Sequence, residues 1–385
     1  MLGTGRRIRL GKIVGVPIEV TPSWGLLLIL VLWSFWVRYT TVFLHHGDGV
    51  AVMMAIAATV LLLGSLLLHE LGHAAIGKLR GLRVSEVTLY VFGGATTASQ
   101  PANPADELLF TLVGPMVNLV LAVVFWGVTG IADQFHLSGV AQVSGEAAWL
   151  NLLLGAFNLI PAAPLDGGHV LEAAAWRATG DRSKAIRVAA RAGGALGGGL
   201  IGVGLLELLI VRGGLIEGLW LALIGYVLLG GANAEMTSAW VQEVLRDASA
   251  GVLLTEHTPP VTKDTSLSWL IQKEFVRHHV DAVPVEDAGV LVGVVLASDV
   301  LGVGNKADAE RTAGEVMRPI DDLPRERVDA RALDVLDILG ADPLVVLTDE
   351  GGRALGAVSE RQVGLVLERL RSLKSPPPRQ APWGR

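Results

Sequence analysis

Long runs of apolar residues dominate the first part of the chain. Six such segments can be drawn, and they cover residues 22–37, 49–76, 108–131, 148–176, 192–211 and 215–231. Several hold about 20 apolar residues, enough for an α-helix to cross a hydrocarbon layer of roughly 30 Å. Soluble helical cores, the alternative, seldom hold several spans of this length. The pattern therefore predicts a polytopic α-helical membrane protein with about six transmembrane helices.

The pattern changes near residue 250. From there charged residues recur every few positions, and short apolar runs such as AVPV, VLVGVVLA and PLVVLT alternate with helical patterns. Each half of this region shows the same order of strand, glycine, strand and helix, as two copies of one unit would. We predict a membrane domain at 1–240, two copies of a soluble α/β domain at 250–305 and 312–372, and a Pro-rich disordered tail at 373–385.

Composition and charge pattern extend this interpretation. The chain of 385 residues is 51% hydrophobic and only 18% charged, its net charge is −6, and it contains no cysteine. The modest charge gives no indication of nucleic-acid binding, and the lack of cysteine excludes disulfides and thiolate metal sites. Basic residues concentrate in alternate loops, which the positive-inside rule assigns to the cytoplasm. We therefore predict a multi-pass protein of the cell membrane, with both termini and the C-terminal domain in the cytoplasm.

The second apolar segment ends in the motif HELGH, residues 69–73. Residues four apart share one face of a helix, so His69 and His73 can direct two imidazoles at one ion, with Glu70 beside them to act on a bound water. Zinc suits such neutral nitrogen ligands and keeps one position open for water. Ionisable residues in a membrane span are costly and are usually functional. The alternative is a polar helix end at the cytoplasmic interface.

A catalytic zinc ion takes three protein ligands, so this motif needs a third ligand from elsewhere in the chain. The fourth apolar segment contains FNLIPAAPLDGGHV at 157–170, in which prolines and glycines interrupt the helical pattern around Asp166. Such breaks are tolerated at membrane depth where they line a cavity. Asp166 lies about 18 residues from the outer end of its segment and His69 about 20, which puts both at a similar depth. His169 is the competing ligand in the same motif.

HELGH in one apolar segment and NLIPAAPLDGG in a later one resemble the motifs of the site-2 protease family of intramembrane zinc metalloproteases. The resemblance implies that His69, His73 and Asp166 bind Zn2+ and that Glu70 is the general base. It also implies that the reaction is peptide hydrolysis and that the substrate is a single-span membrane protein, cut in a locally unwound transmembrane segment. No organic cofactor is expected.

The same resemblance extends to residues that would bind the substrate. Asn118 in GPMVN, Asn158 shortly before the aspartate, and a loop containing Gly93 and Gly94 match family positions. The two asparagines can hold a substrate carbonyl or oxyanion, or instead form hydrogen bonds between helices. The stretch VTLYVFGG can add a substrate strand or form an interfacial hairpin. Gly114 is expected to permit close helix packing rather than to contact the substrate.

The two C-terminal copies resemble tandem CBS domains, which often bind adenine nucleotides. A common nucleotide motif has a glycine, a hydroxyl residue three positions on and an acidic residue three positions further. The first copy keeps Asp299 but has Leu296 at the hydroxyl position, and the second keeps Ser359 but has Gln362 at the acidic position. Each motif is half complete, so the pair is either an adenine nucleotide site or a docking module, which can also form a homodimer.

Two other classes of protein compete with the protease on the sequence alone. A transporter or channel gated by CBS domains would have similar spans, but transport does not require the paired HELGH and LDGG motifs. A binding protein of the same fold that has lost its activity would hold no metal. Metal analysis and a proteolysis assay separate the three.

Overall fold

The structure is a computed structural model that describes residues 8–42, 48–91, 93–210, 215–254, 259–277, 280–300, 311–340 and 342–374. The chain divides into two units, Met1–Ala239 and Trp240–Arg385. The domain boundaries drawn from the sequence stay predictions. The predicted disordered tail lies outside the described residues, except where the last helix, which ends at Lys374, overlaps it.

Helices make up most of the described part of the first unit. They are α1 (Pro22–Val42), α2 (Asp48–Leu79), α3 (Pro104–Gln134), α4 (Ser138–Asn158), α5 (Asp166–Thr179), α6 (Arg182–Ile210) and α7 (Leu215–Leu245). Among the described residues, α1, α2, α3, α6 and α7 are long and apolar enough to cross a membrane. The predicted fourth apolar segment is instead divided into α4 and α5, which an irregular stretch separates.

Local sequence signals determine where α3 and α5 begin and end. The Asn103 side chain accepts hydrogen bonds from the backbone N–H groups of Ala105 and Asp106, and Pro104 occupies the first helical position of α3. This combination satisfies backbone donors that would otherwise lack a partner and pre-sets the helical φ angle. Helix α5 ends at Gly180, whose φ of 69° is a left-handed conformation that favours glycine.

A four-stranded sheet packs against α1 and α2. Its strands are β1 (Ile8–Ile13), β2 (Val16–Val20), β3 (Val84–Tyr90) and β4 (Gly93–Ala98), in the order β1-β2-β3-β4. Strands β2 and β3 are parallel and the other pairs are antiparallel. Apolar side chains of β2 and β3 pack with Ala74 of α2. The stretch VTLYVFGG therefore forms most of β3 and the start of β4, whereas β1 and β2 are not predicted from the sequence.

The irregular stretch between α4 and α5 is enclosed by glycines of two later helices. A Cβ atom on Gly193 of α6 would lie 1.8 Å from the backbone oxygen of Ala163, and one on Gly231 of α7 would lie 2.3 Å from Cγ of Pro164. The Ala163 N–H donates to the backbone oxygen of Ala189. Non-helical backbone is stable at membrane depth only when protein surrounds it, and these contacts meet that condition.

The described part of the second unit repeats one arrangement of strands and helices. The first copy contains β5 (Val261–Thr262), α8 (Leu267–Leu270), β6 (Ala282–Asp287), β7 (Val290–Leu296) and α9 (Ala297–Val300). After α10 (Ala313–Val316) and β8 (Arg318–Pro319), the second copy contains β9 (Arg325–Arg327), α11 (Ala332–Leu339), β10 (Leu344–Thr348), β11 (Ala354–Ser359) and α12 (Glu360–Lys374). In each copy the first two strands pair in parallel and the last two pair antiparallel. This is the repeated α/β unit that the sequence predicts.

Candidate metal centre

Helices α2 and α5 bring two histidines and an aspartate together. Nε2 of His69 and Nε2 of His73 are 3.2 Å apart. The Asp166 carboxylate lies against both, with Oδ2 3.1 Å from Nε2 of His69 and Oδ1 3.5 Å from Nε2 of His73. Both histidines are buried, and Asp166 Oδ2 is a buried atom with no hydrogen-bond partner among the described residues. The structure thus joins the three ligands that the sequence predicts.

The hydrogen bonds behind the two rings determine which ring nitrogen carries hydrogen. Nδ1 of His73 lies 2.7 Å from the backbone oxygen of Phe110, and Nδ1 of His69 forms a hydrogen bond with Oδ1 of Asn118. Carbonyl oxygens only accept, so each Nδ1 must be the donor. In a neutral imidazole, Nε2 is then left with a free lone pair directed at Asp166.

With both rings neutral, three electron-pair donors therefore converge on one point. Two neutral imidazoles and a carboxylate form a ligand set that zinc binds well. Each Nδ1–H donates to a carbonyl oxygen, as the ring nitrogen that does not bind the metal usually does in metal-bound histidines. The residues present fit a divalent cation, and the unpartnered Asp166 oxygen is the observation that supports this.

Gly114 of α3 keeps the space between the histidines free. A Cβ atom at this position would lie 2.3 Å from Nε2 of His73 and 2.6 Å from Nε2 of His69. Any larger residue would therefore fill the space between the two Nε2 atoms. Gly114 is expected to permit close helix packing, and in the structure it lies directly against the two histidine rings.

Strand β4 holds the predicted general base. The Thr96 hydroxyl donates to Oε2 of Glu70 at 2.8 Å and lies 3.0 Å from the backbone oxygen of the same residue. A Cβ atom on Gly94 would lie 2.4 Å from Cγ of Glu70 and 2.9 Å from its Oε1. The sequence reasoning missed Thr96. The period of two along a strand, which puts positions 94 and 96 on one face, could have found it.

Two cavities reach the centre, and Glu70, Gly94 and Asp166 line both. The first has a volume of about 430 Å³ and is mainly apolar, with Gly93 and Asn158 in its wall. The second, of about 240 Å³, has a more polar lining, which is made of His73, Thr96, Glu107 and His169 among others. The predicted residues Gly93, Gly94 and Asn158 thus face space in which a substrate can lie.

Asn118 lies elsewhere. Its side chain is 1% exposed and lies between His69 and Asn151 of α4, where Nδ2 donates to Oδ1 of Asn151 at 3.0 Å. Both ends of the Asn118 amide are engaged by protein. This position corresponds to the alternative of helix–helix hydrogen bonding rather than to a contact with substrate.

His169, the competing third ligand, belongs to a separate ion-pair cluster. Its Nδ1 is 3.1 Å from Oε2 of Glu172 and 3.4 Å from Oε1 of Glu107. The guanidinium of Arg182 contacts the other oxygen of each carboxylate, at 2.9 Å for Glu107 and 3.1 Å for Glu172. Both glutamates are buried, and buried carboxylates require such partners. The cluster ties α3, α5 and α6 together beside the metal centre.

In the second unit, the half-complete nucleotide motifs are occupied by other contacts. Asp299 forms two hydrogen bonds with Arg318, at 2.8 and 2.9 Å, and they raise the pKa of the guanidinium above its usual range. The Ser359 Oγ accepts from the backbone N–H of Gln362, whose Oε1 accepts from the N–H of Ser359. These two residues therefore cap the start of α12. A cavity of about 350 Å³ lies between the copies, with Gln362 in its wall.

The chain is similar to known proteins in both of its units. The family model for peptidase family M50 matches residues 57–137 and 128–197, and that for the CBS domain matches 250–305. Rip3 of Mycobacterium tuberculosis, a zinc metalloprotease by name, is 33% identical over 94% of this chain and 93% of its own length. Zinc metalloprotease MJ0392 of Methanocaldococcus jannaschii is 28% identical over 92% of this chain and 94% of its own length. The site-2 protease structure from Methanocaldococcus jannaschii shares 27% identity at a TM-score of 0.41, covering 60% of this chain and 95% of that one.

Long apolar helices around a buried set of two histidines and a carboxylate define a membrane protein of the metallopeptidase class. The chain belongs to peptidase family M50, the site-2 protease family of zinc metalloproteases, since its relationship to Rip3 extends over almost its whole length. It also carries a CBS domain. The predicted enzyme class and the predicted combination with CBS are confirmed.

Proposed function

We propose that the protein is an intramembrane zinc endopeptidase that cuts within the transmembrane segment of a single-span membrane protein. The observation that carries this proposal is the convergence of two Nε2 lone pairs and an unpartnered carboxylate oxygen between apolar helices. Ionisable side chains such as these are costly within a membrane span unless they have a partner such as a bound cation.

In this proposal His69, His73 and Asp166 hold the zinc ion. When bound, zinc would polarise the scissile carbonyl and make a water molecule more acidic. Glu70 takes one proton from the attacking water as its oxygen bonds to the carbonyl carbon. The same carboxyl then gives that proton to the leaving nitrogen as the C–N bond breaks. Thr96 holds Oε2 of Glu70 during both transfers, which leaves Oε1 for the proton.

The larger cavity suits a stretched apolar peptide. Its wall combines apolar residues of α4 and α7 with Gly93 and Gly94 of the hairpin. Strand β4 is at one edge of the described sheet, so an unwound substrate can pair with it by strand addition. Asn158 lines the same cavity and offers an amide N–H to a substrate carbonyl. Gly94 has the further role of leaving room for Glu70.

The orientation follows from the distribution of basic residues. Lys78 lies in the last turn of α2, Arg80 follows that helix, and Arg182 and Lys184 lie at the start of α6. The loops at the opposite ends of these helices are poorer in basic residues. The positive-inside rule then places these ends, both termini and the CBS domains in the cytoplasm of a multi-pass protein of the cell membrane. Cleavage would accordingly occur near the cytoplasmic side.

The decisive test is Glu70→Gln in the full-length protein, with zinc content and cleavage of a single-span reporter measured on the same sample. Glutamine has nearly the same shape but cannot accept the proton, so zinc should stay bound and cleavage should stop. Glu217→Gln, an exposed change on α7, is the matched control and should cleave normally. Unchanged cleavage by Glu70→Gln, or wild-type protein without zinc, would overturn the proposal.

For the CBS pair we propose a docking or dimerising module rather than an adenine nucleotide site. The guanidinium of Arg318 donates hydrogen bonds to the Asp299 carboxylate. The hydroxyl of Ser359 caps α12 together with Gln362. These contacts already engage both groups within the protein, and this favours the docking module. A homodimer formed through this unit would be one form of such docking.

A further inference from the structure

A chain of buried polar side chains runs from α4 to the metal centre. Asn151 is fully buried, and its Nδ2 donates to the backbone oxygen of Ala147 at 2.9 Å and to Oγ of Ser65 at 3.0 Å. Its Oδ1 accepts from Nδ2 of Asn118 at 3.0 Å. Oδ1 of Asn118 in turn accepts from Nδ1 of His69. We call Asn151 and Asn118 together the amide relay.

The direction of this relay is determined at its far end. A carboxamide fits equally well with its oxygen and nitrogen exchanged, so its orientation depends entirely on its partners. The Ala147 carbonyl can only accept. The Ser65 hydroxyl already donates to the backbone oxygen of Leu61 at 2.7 Å, so it too accepts from Asn151. Both partners therefore demand the NH2 group of Asn151 and direct its oxygen at Asn118.

The same logic then passes to the histidine. Because Asn151 presents oxygen, Asn118 must present its NH2 group to α4 and its own oxygen to His69. A carbonyl oxygen requires hydrogen on Nδ1 of His69, and that tautomer leaves the Nε2 lone pair free. If Asn118 were reversed, its NH2 group would face Nδ1, hydrogen would move to Nε2, and this nitrogen could not bind a metal.

We propose that Asn151, which lines neither cavity of the centre, is a positioning residue that sets the metal-binding tautomer of His69 through Asn118. The proposal rests on the proposed zinc site. This role differs from simply holding the two helices together. A hydrogen bond between Asn118 and Asn151 would hold the helices together in either direction, whereas the tautomer of His69 requires Asn118 to be the donor. Its test is therefore a change that restores the polarity without restoring the bond.

The test compares zinc affinities of full-length variants by competition with a chelator. Asn151→Leu removes the anchor, frees Asn118 to turn, and should weaken zinc binding roughly tenfold to a hundredfold, the usual cost of losing an outer contact of a metal ligand. Adding Asn118→Asp should restore affinity, because both carboxylate oxygens accept and neither orientation is wrong. Asn118→Asp alone sets two oxygens against each other at Asn151, so it should bind zinc less tightly than the double variant.

Ser144→Ala is the matched control. Ser144 is also buried on α4 and its Oγ lies 2.8 Å from Oγ1 of Thr129 on α3, so the change removes a similar contact between the same helices. Its zinc affinity should equal that of the wild type. Wild-type affinity in Asn151→Leu, or no recovery on adding Asn118→Asp, would overturn the proposal. A wild type that binds no zinc would instead refute the proposed function.

A second variant covers the case in which Asn151→Leu does not fold. Asn151→Asp still presents an oxygen to Asn118 but loses the amide donor toward Ala147. It should lower the melting temperature while leaving zinc affinity close to the wild-type value. A merely structural role predicts that affinity falls together with stability, and that result would contradict the relay.

Discussion

In His69 and His73 the two nitrogens of one ring have different roles. Each Nδ1 donates to a carbonyl oxygen, from Asn118 in one case and from the backbone of Phe110 in the other, and each Nε2 faces the Asp166 carboxylate. These contacts therefore fix the ring orientation and favour the neutral tautomer with hydrogen on Nδ1. Preorganised ligands of this kind lose little conformational entropy on binding.

Gly114→Ala should abolish zinc binding, because the added methyl group would lie 2.3 Å from Nε2 of His73. The measurement is the zinc content of purified protein by elemental analysis. Gly127→Ala on the same helix is the control, since a Cβ there meets no described atom within 4 Å, and it should retain zinc. Full zinc occupancy in Gly114→Ala would show that the cation sits elsewhere.

Thr96→Val should separate catalysis from metal binding. The change removes a hydrogen bond to the Glu70 carboxylate, which is worth about 1.5–3 kcal/mol, so kcat should fall about tenfold to a hundredfold while zinc content stays normal. Steady-state cleavage of the reporter measures this. Thr97→Val, one position along on the exposed side of β4, should keep wild-type kcat. Equal rates for the two variants would remove Thr96 from the mechanism.

At the scale of elements, the break between α4 and α5 decides the position of the third ligand. Asp166 is the first residue of α5, and a carboxylate is favourable at a helix N-terminus. His169 lies three residues further along the same helix, so the break does not separate it from Asp166. Its ring is held instead by Glu107 and Glu172, the two carboxylates that also bind Arg182.

Gly193→Ala on α6 should disturb the irregular stretch between α4 and α5. The new Cβ would lie 1.8 Å from the Ala163 oxygen, so α6 or the irregular stretch must move, at a cost of about 1–3 kcal/mol for overpacking. We expect a lower melting temperature and weaker zinc binding, both measured in detergent. For Gly198→Ala on the same helix, no described atom lies within 4 Å of the new methyl group, and both values should match the wild type.

At the scale of the whole molecule, a membrane metalloprotease and a CBS domain share one chain. The relationship to Rip3 covers 94% of this chain, so it includes both units. Covalent linkage rather than expression sets the effective concentration of the second unit at the protease.

Adenine nucleotides should not change the melting temperature of the full-length protein. A ligand that binds the native state raises the melting temperature by mass action, so ATP and AMP are expected to cause no shift at concentrations well above those in cells. The occupied Asp299 and Ser359 are the physical reason. A rise that saturates with concentration would restore the nucleotide site in place of the docking module.

The sequence by itself determined the features that depend on spacing along one element. Apolar runs of membrane length, the four-residue interval between His69 and His73, and the repeated pattern after residue 250 all follow from local geometry. Strands β1 and β2 escaped prediction because β1 contains Arg9, Gly11 and Lys12 and β2 contains Pro17, residue types that are uncommon in strands. In the structure β1 pairs with β2, and β2 pairs with β3.

Only the tertiary structure shows that Asp166 rather than His169 lies against both histidines, that Asn118 lies behind His69, and that Thr96 contacts Glu70 and Asn151 contacts Asn118. These assignments depend on which helices approach one another and on which way each amide points. Such facts arise from contacts between residues tens of positions apart, which no local pattern encodes. The orientation of the Asn151 amide, for example, depends on the Ala147 carbonyl, which can only accept a hydrogen bond. In our proposal this contact acts on His69 through Asn151 and Asn118.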